Sequence, residues 1–115
     1  LDTPFVPEGY THAWQTYCTM VNIDKIGRNT VSEGNVFRNE LMDQLEQNGI
    51  ATRQGTHALH MLGYYRDKYG YSYEDLPNAY TCDRLSIALP LYVQMTEEDQ
   101  DYVIEKIALI GSSLL

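Results

Sequence analysis

Phe37, Leu41 and Leu45 recur every fourth position, with Val36 and Met42 widening the stripe, and this spacing predicts an amphipathic helix. Thr30 with Glu33 three residues on fits a capping box at its start, Ser32 is a competing N-cap, and Asn48-Gly49 supplies the stop. The clearest helix lies near the C-terminus. There Thr96 and Asp99 form a capping-box-like pair, while Glu97, Glu98 and Asp99 complement the helix dipole. Val103, Ile107 and Ile110 line its expected buried face, with Ile104 and Ala108 beside them. Two shorter helices are predicted, His60 to Tyr69 ended by Gly70, and one opened by Pro77 that runs from Asn78 to Arg84. Tyr71 to Leu76 reads as a loop between them.

Strand signals alternate with these helices. His12 to Ile23 is rich in β-branched and aromatic residues, with Trp14, Cys18 and Met20 on one face and Tyr17, Val21 and Ile23 on the other. Both faces are apolar, which predicts a central strand; Asp24 to Asn29 is then a turn. Ile50 to Arg53 is expected to return to the sheet, completing a strand–helix–strand unit of the kind parallel crossovers use. Ser86 to Leu89, closed by Pro90, is the third strand. The pattern predicts an α+β, two-layer small domain with a short sheet of about three strands and helices packed mainly on one face. No internal repeat or low-complexity segment interrupts it.

Composition narrows the class. The 115 residues suffice for one domain with a core but are short for a complete cofactor-dependent enzyme. Eight basic residues against sixteen acidic ones leave a net charge of −8, so no basic surface is expected to neutralise nucleic-acid phosphates. Cys18 and Cys82 share no close spacing, which predicts neither a disulfide framework nor a CxxC site and fits a reducing cytoplasm. No apolar run approaches the roughly 20 residues a membrane span requires. No basic segment followed by an apolar stretch marks a signal peptide. The opening LDTPFVPEGY, starting on Leu1 and punctuated by Pro and Gly, reads as a connector over residues 1–11 of an excised segment.

Candidate chemistry is concentrated in one stretch. Arg53, Thr56, His57 and His60 surround Gly55 just after a predicted strand end, where loop side chains can project toward a ligand. Arg offers a fork of donors to phosphate or carboxylate, and His can donate or accept near neutral pH, so an anion-binding wall is one reading. The other is that His57 and His60 cap or pack the following helix while Arg53 meets a surface carboxylate. A metal site would need His57 and His60 joined by His12, Cys18 or Cys82, which lie at no recognisable ligand spacing; none is expected. Of ten tyrosines, Tyr64, Tyr65, Tyr69, Tyr71 and Tyr73 cluster. Such rings suit stacking on a sugar or base, or an oligomer interface; core packing is expected for Tyr64 or Tyr65 and an interface for some of the rest. GxSxG, P-loop and GxGxxG motifs are missing. Glu97 to Asp101 reads as a solvated helix start. Lys25, Lys68 and Lys106 fall in a turn and on helix surfaces, so none reads as a desolvated Schiff-base lysine, and no catalytic residue is expected in this chain.

Five pieces in order resemble the C-terminal part of DegT/DnrJ-family (DegT/StrS-type) nucleotide-sugar aminotransferases, pyridoxal-phosphate enzymes of fold-type I. They are HAWQTYCTMVNI, FRNELMDQLEQNGI, TRQGTHALHMLGYYR, LSIALPLY and MTEEDQDYVIEKI, together covering almost all of His12 to Gly111. The resemblance implies that residues 1–115 are a small C-terminal domain. The pyridoxal 5′-phosphate and its lysine would belong to a large domain absent from this chain, so the segment alone would be inactive. It further implies a cytoplasmic homodimer that passes an amino group from glutamate to a nucleotide-linked keto-sugar, as in polysaccharide biosynthesis. His60 matches the histidine that the family places after its GI-x-T segment, near cofactor and sugar. Arg53 and His57 match a subset reading TRxGTHAxH, similar to perosamine synthases, which makes them candidate substrate-binding residues, Arg53 toward a phosphate of the nucleotide-sugar. Other branches often carry an aromatic and a Pro before the His. A sugar dehydrase of the same family, and a stand-alone small-molecule-binding or interaction domain without catalysis, are the alternatives.

Overall fold

The fold is organised on one short strand. The computed structural model describes residues 1–115. Strand β1 (Tyr17–Met20) pairs antiparallel with β2 (Ser86–Leu89), in the register Tyr17↔Leu89, Cys18↔Ala88, Thr19↔Ile87 and Met20↔Ser86. On the free side of β2, Arg53 forms an isolated antiparallel bridge with Ala88, and on the free side of β1, Asp2 bridges Met20. Two strands and two single-residue bridges thus stand where about three strands were expected.

Both departures have local causes. Trp14 takes a positive φ of 48°, which a strand cannot contain, so β1 starts only at Tyr17. The Val21 N–H still donates in register to the Leu85 carbonyl (2.9 Å), and the ladder stops there because Leu85 is the last residue of α3. Past Gly49, left-handed at φ 76°, Ile50 donates to the Leu45 carbonyl and buries its side chain, so the chain meets β2 only at Arg53. It pairs antiparallel to β2, which is itself antiparallel to β1, so the returning segment runs parallel to β1 as expected, with β2 between the two.

Four helices complete the domain: α1 (Val31–Gln47), α2 (Gly63–Tyr69), α3 (Pro77–Leu85) and α4 (Glu97–Ser113). Thr30 caps α1 by accepting from the Glu33 N–H (3.2 Å), but the Glu33 carboxylate reaches back to the Asn29 N–H (2.8 Å) and not to Thr30. At α4 the capping box is complete, Thr96 and Asp99 each accepting from the other's backbone N–H. The stretch expected as one helix from His60 breaks at Leu62, whose ψ of 139° is extended, into a 3₁₀ turn (Leu59–Met61) and α2.

Val21, Phe37, Leu41, Leu45, Ile50, Leu85, Ile87, Val103 and Ile110 form the core, where α1 meets α3, α4 and β2. Each fully buried Leu or Ile contributes about 1.5–3 kcal/mol relative to exposure. Ile107 packs on its edge, whereas Val36, Ile104 and Ala108 lie exposed, so the buried stripes of α1 and α4 are narrower than expected. No residue of α2 is buried, and Tyr64 and Tyr65, one of which was expected in the core, are both exposed. No helix is long and apolar enough to cross a membrane.

Candidate functional site

The segment from Arg53 to Ala58 lies antiparallel along the junction of α3 and β2, fixed at three points. Arg53 exchanges two backbone hydrogen bonds with Ala88 (3.2 and 2.7 Å). Thr56 N–H donates to the Ser86 hydroxyl (3.2 Å), and Ala58 N–H to the Asp83 carboxylate (2.8 Å). Gly55 allows this approach, because a Cβ there would stand 2.2 Å from Cys18 Sγ and 3.0 Å from the Ser86 Cβ. No side chain fits between the loop and the sheet.

Arg53 and His57 come together. They line a cleft of about 540 Å³ with Gln54 and Thr52 on one wall and Met42, Asp43 and Glu46 of α1 on the other. Gln54 Nε2 donates to the Thr56 carbonyl (2.7 Å) and lies 3.2 Å from His57 Nδ1, orienting the imidazole. Asp43 and Glu46 face the same space, so the cleft mixes one guanidinium and one imidazole with two carboxylates. It is less purely anion-attracting than the sequence alone implied. Arg53 makes no ion pair.

His60 is separated from that cleft. It is 4% exposed, and neither ring nitrogen has a hydrogen-bond partner in the chain. The Tyr71 ring meets it edge-on, centroids 6.4 Å apart. Nearby, Asp75 accepts from the Ser72 N–H and hydroxyl, which with the His60 ring hold its carboxyl below the usual carboxylate value. His60 caps nothing: the N-cap position of α2, Leu62, receives no side-chain hydrogen bond.

Two residues behind the loop were not singled out from the sequence. Arg38 of α1 is 5% exposed, its Nε without a partner, its Nη1 donating to the Ser86 carbonyl at 3.4 Å. Burial pushes its guanidinium below the ordinary value, with Asp83 opposing the shift and Arg84 adding to it. Asp83 itself pairs with Arg84 (3.6 Å). The available signal was an arginine between Phe37 and Leu41, at the edge of the apolar stripe.

Other reactive groups lie idle. Burial pushes the Cys18 thiol up, helped by Cys82 and opposed by the Ser86 hydroxyl, so it is no activated nucleophile. Lys25 pairs with Asp2 in solvent, Lys68 rests on Tyr64 and Tyr69, and Lys106 on Tyr102. None of these amines is desolvated, so the residues present do not fit the covalent anchor of a pyridoxal cofactor.

Residues 4–108 match the DegT/DnrJ/EryC1/StrS aminotransferase family. The chain belongs to that family. It is 34% identical over 108 residues to the spore coat polysaccharide biosynthesis protein SpsC of Bacillus subtilis (93% of this chain, 26% of SpsC). With the uncharacterised protein MJ1066 of Methanocaldococcus jannaschii it shares 31% over 112 residues (97% of this chain, 27% of MJ1066). Among solved structures, Spr1654 of Streptococcus pneumoniae, named as a sugar aminotransferase, superposes with a TM-score of 0.71 in both its PMP and PLP forms. That match has 26% identity and covers 87% of this chain and 23% of Spr1654. The chain therefore spans about a quarter of the length of these relatives. The small α+β fold expected from the sequence is the one found in this sugar-aminotransferase neighbour.

Proposed function

We propose that these residues are the C-terminal small domain of a pyridoxal-phosphate-dependent aminotransferase that transfers an amino group from glutamate to a nucleotide-linked keto-sugar. The observation that carries this reading is His60. A neutral imidazole has one donor and one acceptor, and each buried group left unmet costs about 1–3 kcal/mol. Burial of both nitrogens without partners makes sense where the group they bond comes from outside these residues, a sugar hydroxyl or carbonyl, or another part of the parent enzyme.

Under this reading His60 orients the sugar. Arg53 and His57 bind more peripheral polar groups from their cleft, Arg53 being free to take a phosphate oxygen of the nucleotide. The cofactor, held by the rest of the parent polypeptide, supplies the electron sink when bound. What this chain contributes is placement and exclusion of water, which suits a rigid loop without catalytic groups of its own. The exposed tyrosines Tyr64, Tyr65 and Tyr69 belong to a surface covered by the partner subunit of a homodimer or by the large domain.

The test is the visible spectrum of the full-length parent before and after glutamate. A cofactor band that shifts with glutamate, together with amination of a nucleotide-linked keto-sugar that falls at least tenfold in His60→Ala, is the expected result. A cofactor band that ignores glutamate would replace this reading with the dehydrase, and no band at all would replace it with a binding domain.

A further inference from the structure

Ala58 is pinned from both sides. Its N–H donates to Asp83 Oδ2 at 2.8 Å, and its carbonyl accepts from the Met61 N–H at 2.8 Å, closing the 3₁₀ turn that contains His60. With its side chain 1% exposed, it can neither shift nor rotate without breaking one of these bonds. His60 follows two residues later inside the same turn, so the place of its imidazole is set by wherever Ala58 is held.

What holds Ala58 is one carboxylate. The Asp83 side chain is 16% exposed, and its other oxygen lies 3.6 Å from Arg84 Nε, an atom that is itself buried. The Arg84 guanidinium also stacks over the Tyr80 ring at 5.2 Å, which fixes its side of the pair. An N–H bonded to a carboxylate oxygen makes a stronger and shorter hydrogen bond than a neutral pair. Arg38 adds a buried cation behind the same junction through Ser86.

We infer that Asp83, oriented by Arg84, is a positioning residue for His60: it locks the Ala58 peptide and thereby aims the buried imidazole. The neighbouring anchor, Thr56 to Ser86, fixes the Arg53–His57 half of the loop separately, so the two halves are held by different side chains. The inference concerning sugar placement rests on the proposed function; the clamp itself rests only on the geometry.

The experiment is carried out in the full-length parent with Asp83→Ala and Asp83→Asn. The Asn side chain keeps an oxygen for Ala58 but no charge for Arg84, and it carries the test should the Ala variant not fold. Amide hydrogen exchange at Ala58 to Met61 should accelerate at least tenfold in Asp83→Ala and less in Asp83→Asn. The reaction with the keto-sugar should slow at least tenfold in Asp83→Ala, while the reaction with glutamate alone stays within twofold. A merely structural role would slow both reactions together, and that result overturns the inference. Unchanged exchange at Ala58 in a folded Asp83→Ala protein would also overturn it. If the wild-type parent aminates no sugar yet exchange accelerates as stated, the aminotransferase reading falls and the clamp stands.

Discussion

The Tyr71 ring stands almost perpendicular to the His60 imidazole, at 85° with centroids 6.4 Å apart, and meets it edge-on. The contact carries no hydrogen bond to either ring nitrogen. Tyr71 therefore restricts the imidazole by shape, leaving its nitrogens for other partners. An aromatic edge-to-face pair contributes about 0.5–1.5 kcal/mol beyond its buried area. Tyr71→Phe keeps that pair and is expected to leave sugar amination within twofold. Tyr71→Ala removes it and should lower kcat/KM for the sugar roughly three- to tenfold. Steady-state kinetics on the two variants check this, and equal behaviour of Phe and Ala would show that the ring does not restrain His60.

Gly55 gives a packing prediction that needs no substrate. An alanine Cβ would stand 2.2 Å from Cys18 Sγ, a distance real atoms do not tolerate, so Gly55→Ala must push the loop off the sheet. Overpacking of this kind costs about 1–3 kcal/mol, and the thiol is its main source. The double variant Gly55→Ala with Cys18→Ala should recover most of the loss. Urea unfolding of the four proteins of this cycle measures it, and simple additivity of the two changes would contradict the contact.

Much of the helical framework was legible because its signals are local. Capping residues Thr30 and Thr96, the Phe37–Leu41–Leu45 stripe and the Pro77 start each act within one or two turns, and the structure puts helices there. The sheet was read less well. Trp14, whose positive φ breaks the strand before Tyr17, and Leu85, which ends α3 opposite Val21, limit the pairing, so a twelve-residue stretch yielded four residues of strand. The site shows the same division. Arg53, His57 and His60 stood out by residue type, yet burial alone separates His60 from the other two. Asp83 looked like an ordinary helix residue because its meaning lies in a bond to Ala58, 25 residues away. Tyr64 and Tyr65 misled because aromatic residues at helical spacing usually mark a core, whereas α2 buries nothing within this chain.

The capping box of α4 predicts a pH dependence. Backbone and side-chain hydrogen bonds from Thr96, with help from the Tyr92 hydroxyl, hold the Asp99 carboxyl below its ordinary 3.8. A carboxyl depressed in the folded state contributes stability above its unfolded pKa, and that contribution disappears as pH falls through the folded value. Asp2, held low by Lys25 and Asn22, and Asp75, held low by Ser72, act in the same direction. Unfolding free energy should therefore decline as pH drops below 3.8, and less steeply in Asp99→Asn. Thr96→Ala removes the reciprocal bond and should cost about 1 kcal/mol at neutral pH. Denaturant titrations across pH measure both, and an Asp99→Asn profile parallel to wild type would contradict the assignment.

Arg38 tests whether its buried charge stabilises the fold. The favourable side is a single long hydrogen bond to the Ser86 carbonyl at 3.4 Å, and a weak contact to Met42 Sδ at 3.7 Å. Against it stand the loss of water around the guanidinium, which depresses its pKa, and an Nε with no partner. A buried polar group without a partner costs about 1–3 kcal/mol, comparable to or larger than what one long hydrogen bond returns. Replacing a buried ionic group by an apolar side chain of similar volume is often neutral or stabilising by about 1–4 kcal/mol. Arg38→Met should therefore leave stability unchanged or raise it, whereas Arg38→Ala should lower it by about 2 kcal/mol because it opens a cavity beside Phe37 and Met42. Urea unfolding of both variants decides. A large loss in Arg38→Met would mean that the cation itself, through Asp83 and the loop it holds, is what the fold requires at this position.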